Sequence, residues 1–135
     1  MMLAEALNNV AYHVSKQRFG ELVEEALAEV PEPFASFLEE VPVEVHNRPS
    51  AKQLKSLGTR RGNLLLGLYR GRPRTSRSVE DSGQLPDVIY VFQEPIEWVC
   101  SNEVELVAQV RTTVLHEIGH HFGMNEKDLD ELGYG

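Results

Sequence analysis

The sequence predicts an α+β fold. Three observations predict it: a helical apolar stripe near the start, two short apolar runs bounded by turn residues in the middle, and a long capped helix near the end. Helices come first, strands second and a helix last, so the βαβ alternation of a parallel α/β sheet is absent. At 135 residues, with 41% hydrophobic and 25% charged content, the chain is expected to form one domain over 1–135 with a single core.

The elements follow in chain order. Phe19, Leu22, Val23, Ala26, Leu27 and Val30 recur at the i, i+3, i+4, i+7, i+8, i+11 spacing of one helix face, with Ser15 as N-cap and Pro31 as stop. A second short helix after "PEP" places Phe34, Phe37 and Leu38 on the same core. "VPVEVH" (41–46) alternates and is β-branched, which predicts a strand, and Pro42 favours its start or an edge position. Ser50 with Gln53 three residues on forms a capping box, and Gly58 stands at the far end of that helix. "NLLLGLY" (63–69) and "DVIYVFQ" (87–93) read as strands. The polar stretch between them is too long for an ordinary connection and too patternless for an element. The last helix starts at Asn102, an N-cap with Glu105 three residues later, and runs to Phe122 before Gly123.

Composition narrows the class. The first twelve residues hold Glu5, Asn8 and Asn9 and no basic cluster, so a secretory signal is not expected. No apolar run approaches the roughly 18 residues that span a bilayer. The single cysteine, Cys100, leaves no internal disulfide and fits a reducing compartment. A soluble cytoplasmic domain is the expectation. The net charge of −8 is unevenly spread: nine basic and no acidic residues lie between Val45 and Val79, against four basic and twenty-one acidic elsewhere. Such a split fits either an anionic partner for the Arg70–Arg77 stretch or two surfaces that attract each other. Nucleic acid is not among the expected partners.

The chemistry concentrates in "VLHEIGHHFGMNEKDLDELGYG". On a wheel of about 100° per residue with Val107 at zero, Val110, Val114, Leu115, Ile118 and Phe122 fall within roughly 80° of it and form the core face. His116 and His120 fall on the opposite side, with Glu105, Gln109 and Thr113. Their i, i+4 spacing lets two imidazoles converge on one ion, and the intervening glutamate of such a helix acts as general base rather than ligand. Glu117 therefore becomes the candidate base. His121 points elsewhere and is read as structural or supporting. Gly119 admits a close neighbour, and Arg111 on the apolar face is accounted for only by snorkelling.

A zinc hydrolase site needs a third protein donor and one open position. Too little chain follows His120 for the separate downstream helix of thermolysin-like enzymes. The donor must come from Glu126, Asp128, Asp130 or Glu131. Residue 126 lies ten positions after His116, the third-ligand spacing of His-Glu-x-x-His-x-x-Gly-x-x-His metalloproteases, and here it is a glutamate. Glu126 is the first choice and Asp128 the second.

"TTVLHEIGHHFGMNEKDLDELGY" resembles the C-terminal end of the minimal zincin-like, matrix-metalloprotease-like family of small bacterial proteins. "LLLGLYRGRP" and "LPDVIYVFQEPIE" resemble that family's central strands. The resemblance implies a compact core, with a small mixed β-sheet packed against an active-site helix and N-terminal helices. It implies Zn²⁺ as cofactor, His116, His120 and Glu126 as ligands and Glu117 as base; the leading reading is a zinc-dependent peptidase with a peptide or protein substrate. Such a peptide would lie beside an edge strand, "DVIYVFQ" or "NLLLGLY". The larger metzincins' methionine turn is absent, since Met124 stands too close to the motif. Two other readings compete. A peptide deformylase would need a Glu-Gly-Cys-Leu-Ser segment, of which "EWVCSN" keeps only Cys100-Ser101. A non-catalytic, metal-stabilised binding module would use the basic loop for an anionic partner. Tyr69, Arg70 and Tyr134 are candidate oxyanion donors that nothing in the sequence singles out.

Overall fold

The computed structural model describes residues 2–5, 12–56, 63–71 and 87–131. In chain order these form strand β1 (Met2–Glu5), helices α1 (Lys16–Ala28) and α2 (Phe34–Phe37), strand β2 (Val43–His46) and helix α3 (Ala51–Ser56). Strands β3 (Asn63–Arg70) and β4 (Val88–Phe92) follow, then helices α4 (Gln93–Trp98), α5 (Glu103–His121) and α6 (Glu126–Glu131). The α+β expectation holds. Most of the polar stretch that follows Arg70, Gly58 and Tyr134 lie outside the described residues.

The four strands form one mixed sheet in the order β1-β3-β4-β2. β3 runs antiparallel to both β1 and β4, and β2 runs parallel to β4 at the other edge. β4 is buried along its whole length, which explains why "VIYVF" shows no alternation: both faces are covered. On one face Ile89, Val91 and Leu66 join the main core with Val110, Val114 and Ile118 of α5, behind which α1 packs Phe19, Leu22 and Ala26. On the other face Leu65, Val88, Tyr90 and Phe92 make a smaller cluster with Leu54 of α3.

Local chemistry sets the element ends. Ser15 Oγ accepts the Arg18 N–H at 3.0 Å and starts α1. Ser50 and Gln53 exchange reciprocal hydrogen bonds of 3.0 and 2.7 Å at the start of α3. Asn102 Oδ1 accepts the Glu105 N–H at 2.9 Å and starts α5. At the other end Gly123 adopts φ +83°, and the Gly123 and Met124 N–H groups bond back to His120 and Gly119 carbonyls. That is the Schellman geometry that turns the chain from α5 into α6. The buried Glu97 of α4 accepts the Val14 N–H at 2.8 Å and ties the segment before α1 to α4.

Several expectations need correction. β1 carries no sequence signal; its strand conformation comes from pairing with β3. "DVIYVFQ" ends as a strand at Phe92, and Gln93 opens α4, whose Pro95 sits in the first turn where its missing N–H costs nothing. β4 is paired on both sides and is not an edge strand, whereas the pairing of β3 with β1 stops at Gly67. Phe122 is 46% exposed rather than in the core, and packs on Phe34 and Phe37 of α2. Only the middle of the polar face of α5 is dry, where β3 packs on the helix: Thr113, His116 and Glu117 are buried, whereas Glu105 and His120 are exposed. Arg111 is reached at 3.4 Å by Glu29, the C-cap residue of α1, which accounts for its place on that face. Among the described residues no helix is long and apolar enough to cross a membrane.

Candidate metal centre

His116 and His120 lie one turn apart near the end of α5, with ring centroids 4.6 Å apart. Gly123 then reverses the chain, and the short α6 returns alongside α5. Its first turn is fixed by a reciprocal pair: Asn125 Oδ1 accepts the Asp128 N–H at 2.9 Å, and Asp128 Oδ2 accepts the Asn125 N–H at 3.0 Å. Leu129 of α6 is fully buried against Gly119, where an added Cβ would stand 2.3 Å from Leu129 Cδ2. The close neighbour of Gly119 is thus a side chain from α6 and not a strand. This docking brings Glu126 back over the histidines.

Glu126 Oε1 lies 3.0 Å from His116 Nε2 and 3.0 Å from His120 Nε2. One donor atom from each of the three residues falls within 4.8 Å of the others. Two imidazole nitrogens and a carboxylate oxygen are a donor set zinc accepts, and tetrahedral zinc holds its donors roughly 3.3 Å apart. The residues present fit such an ion. Among the described residues no other group of three or more His, Cys, Asp or Glu converges in this way. Asp128 is committed to the cap of α6. Its carboxylate is not part of the cluster.

Burial divides the site. The His116 side chain is 6% exposed, that of His120 35% and that of Glu126 65%. His116 Nδ1 is buried and meets no hydrogen-bond partner among the described residues. Glu117 is 1% exposed, and its Oε1 accepts the Tyr69 N–H of β3 at 2.9 Å. His121 joins neither group. Its ring stacks on Tyr69 at 4.7 Å and tilts against Phe37 at 5.0 Å.

The remaining candidates fall elsewhere. Cys100 is buried between α4 and α5, where burial pushes its thiol up to about 11, and it does not reach the histidines. The deformylase arrangement is therefore not built. Arg70 Nη1 donates to the Tyr90 hydroxyl at 2.7 Å on the far face of the sheet, and Arg48 pairs with Glu94 at 3.0 Å. These two of the nine basic residues meet polar or acidic groups of the same chain. Sequence reasoning missed the Tyr69 backbone contact to Glu117. The glycine inside "LLLGLY" was its one signal, since a glycine within a strand often marks a bulge or a close approach.

A family model described as zincin-like metallopeptidase matches residues 38–135. The solved structure of a conserved hypothetical protein from Thermus thermophilus superposes with a TM-score of 0.54 at 28% identity. That match covers 81% of this chain and 94% of the other. No curated protein matches the chain. With nearly three quarters of its length inside the family model, and with the helix that bears the histidines in that part, the chain belongs to the zincin-like metallopeptidase family.

Proposed function

We propose that the protein is a zinc-dependent peptidase in which His116, His120 and Glu126 hold the metal and Glu117 is the general base. The observation that carries this reading is the convergence of Glu126 Oε1 on both Nε2 atoms, one helical turn from a buried carboxylate. Zinc in such a site supplies Lewis-acid polarisation of a carbonyl and acidifies a water molecule. Three protein donors would leave one zinc position open, the pattern of catalytic rather than structural sites.

The chain's own residues divide the remaining work. Glu117 takes a proton at Oε2 and returns it to the leaving amine, while Oε1 stays on the Tyr69 N–H. The cover that β3 and the main core give His116 and Glu117 excludes bulk water on that side. The exposed faces of His120 and Glu126 leave the other side open for a peptide to enter. A peptide or protein substrate is the class that this family and an open, shallow approach favour.

Metal analysis of the purified chain together with a digestion assay on an unfolded protein tests the reading. One zinc per chain and hydrolysis reduced about 10²- to 10⁴-fold by Glu117→Gln are expected. A chain without stoichiometric zinc, or an activity indifferent to Glu117→Gln, would sink it.

A further inference from the structure

A one-residue irregularity in β3 links the sheet to Glu117. Met2 pairs with Gly67 but Leu3 pairs with Leu65, so Leu66 is an extra residue on the β3 side of that pairing. The side chains record the consequence. Leu66 packs in the main core facing α5, and the would-be Cβ of Gly67 also points at α5, 2.5 Å from Thr113 Cγ2. Two consecutive positions therefore face the same way, and the alternation restarts one residue out of phase. Leu65 and Leu68 belong to the far face, while Tyr69 returns to the α5 face against Phe37 and His121.

Strict alternation from Leu66 would have put Leu68 on α5 and Tyr69 on the far face. A bulge of this kind re-aims one residue, and here that residue is Tyr69, whose N–H reaches Glu117 Oε1. Gly67 permits it. Any side chain there meets both Thr113 and the Tyr90 carbonyl at 3.0 Å, and Thr113 stands one helical turn before Glu117. The tyrosine is further held by its hydroxyl on Asp87 and by its stack on His121.

We infer that Tyr69 is a positioning residue for Glu117: the bulge at Leu66–Gly67 aims its peptide N–H at Oε1, fixing the carboxylate plane and with it the direction of Oε2. This deepens the peptidase reading and rests on it for its meaning. The hydrogen bond itself is independent of metal and substrate, so the two can fail separately. His121 acquires a role as the ring that holds Tyr69 in place, which accounts for a histidine that stands next to the ligand pair without joining it.

The experiment is amide hydrogen exchange on the metal-free full chain, read at Tyr69, with Ile89 and Val91 as controls within the same sheet. Glu117→Ala is expected to speed Tyr69 exchange roughly tenfold, and Glu117→Gln, which keeps an acceptor oxygen, to leave it near the original rate. Gly67→Ala is expected to speed Tyr69 exchange as well, and adding Thr113→Ser, which removes Cγ2, to slow it again. In the zinc-loaded chain Gly67→Ala should lower kcat about 10- to 100-fold with KM and zinc stoichiometry retained. Unchanged Tyr69 exchange in Glu117→Ala, or equal acceleration at Tyr69, Ile89 and Val91, would overturn the inference. A wild-type chain that hydrolyses nothing would overturn the peptidase reading, and the exchange at Tyr69 would still decide the positioning.

Discussion

The two halves of the candidate metal centre are built differently. His116 and Glu117 belong to the core: β3 covers them, and the helix that carries them packs on α1 as well as on the sheet. His120 and Glu126 belong to the surface, and Glu126 is delivered by a six-residue helix held by one buried leucine and one capping pair. A helix that short has no stability of its own. Glu117 and His116, the proposed base and first donor, are thus placed by the fold as a whole, whereas Glu126, the proposed third donor, depends on a local attachment. Donors from a rigid half and a labile half can form a site that tightens when the ion arrives.

The contrast is open to direct test, and the largest effect should come from the histidines. His116→Ala and His120→Ala are both expected to weaken zinc binding by more than about 100-fold. Only His116→Ala should also lower the stability of the metal-free chain, by about 1–3 kcal/mol, because only it leaves a buried space. Denaturant unfolding beside a zinc titration checks this; equal stability losses in the two variants would erase the distinction.

Leu129→Ala comes next. Losing that buried side chain should undock α6 and weaken zinc binding about 10- to 100-fold, while exchange protection in α5 and β4 stays intact. Protection lost throughout the chain would place α6 within the core's cooperative unit. Asp128→Ala removes half of the cap at a cost of about 1 kcal/mol, which predicts a zinc affinity only about fivefold weaker. A loss as large as that of Glu126→Ala would instead make Asp128 a ligand.

The smallest effects are set by pH, away from the metal. Burial raises the Cys100 thiol to about 11. The unfolded thiol ionises first, so stability from this residue is present below the ordinary thiol range and is lost as pH rises toward 11. A thiol reagent should react with Cys100 only under unfolding conditions; fast reaction in the native chain at neutral pH would contradict its burial. At the start of α5 the opposite sign holds. Hydrogen bonds of 2.7 and 3.0 Å from Arg18 hold the Glu103 carboxyl below its ordinary value. Its contribution is present above the ordinary carboxylate range and fades as pH falls through the lowered value. Both groups are solvent-exposed, so Glu103→Gln should flatten the acid limb of the stability curve only slightly.

Much of this was legible from residues alone. Ser15, Ser50 with Gln53, and Asn102 with Glu105 announce three helix starts, because capping is a contact over three residues and owes nothing to the rest of the fold. His116, Glu117, His120 and Glu126 could be selected by spacing, since a helix and a glycine-led reversal fix the separation of nearby residues. The pattern was less informative wherever the partner is distant in sequence. β1 is a strand because β3 lies beside it. The buried state of Thr113 and Glu117 follows from the sheet laid over α5, which no helical wheel contains.

The sequence by itself therefore determined the α+β order, the helix caps, the motif and its local geometry, all consequences of interactions within about ten residues. Only the tertiary structure decided which face of α5 is dry, which strands are edges, and what touches Glu117. Those depend on pairing Met2 with Gly67, Gly67 with Thr113 and Tyr69 with Glu117. Each pair joins segments more than forty residues apart, and only the folded core holds them together.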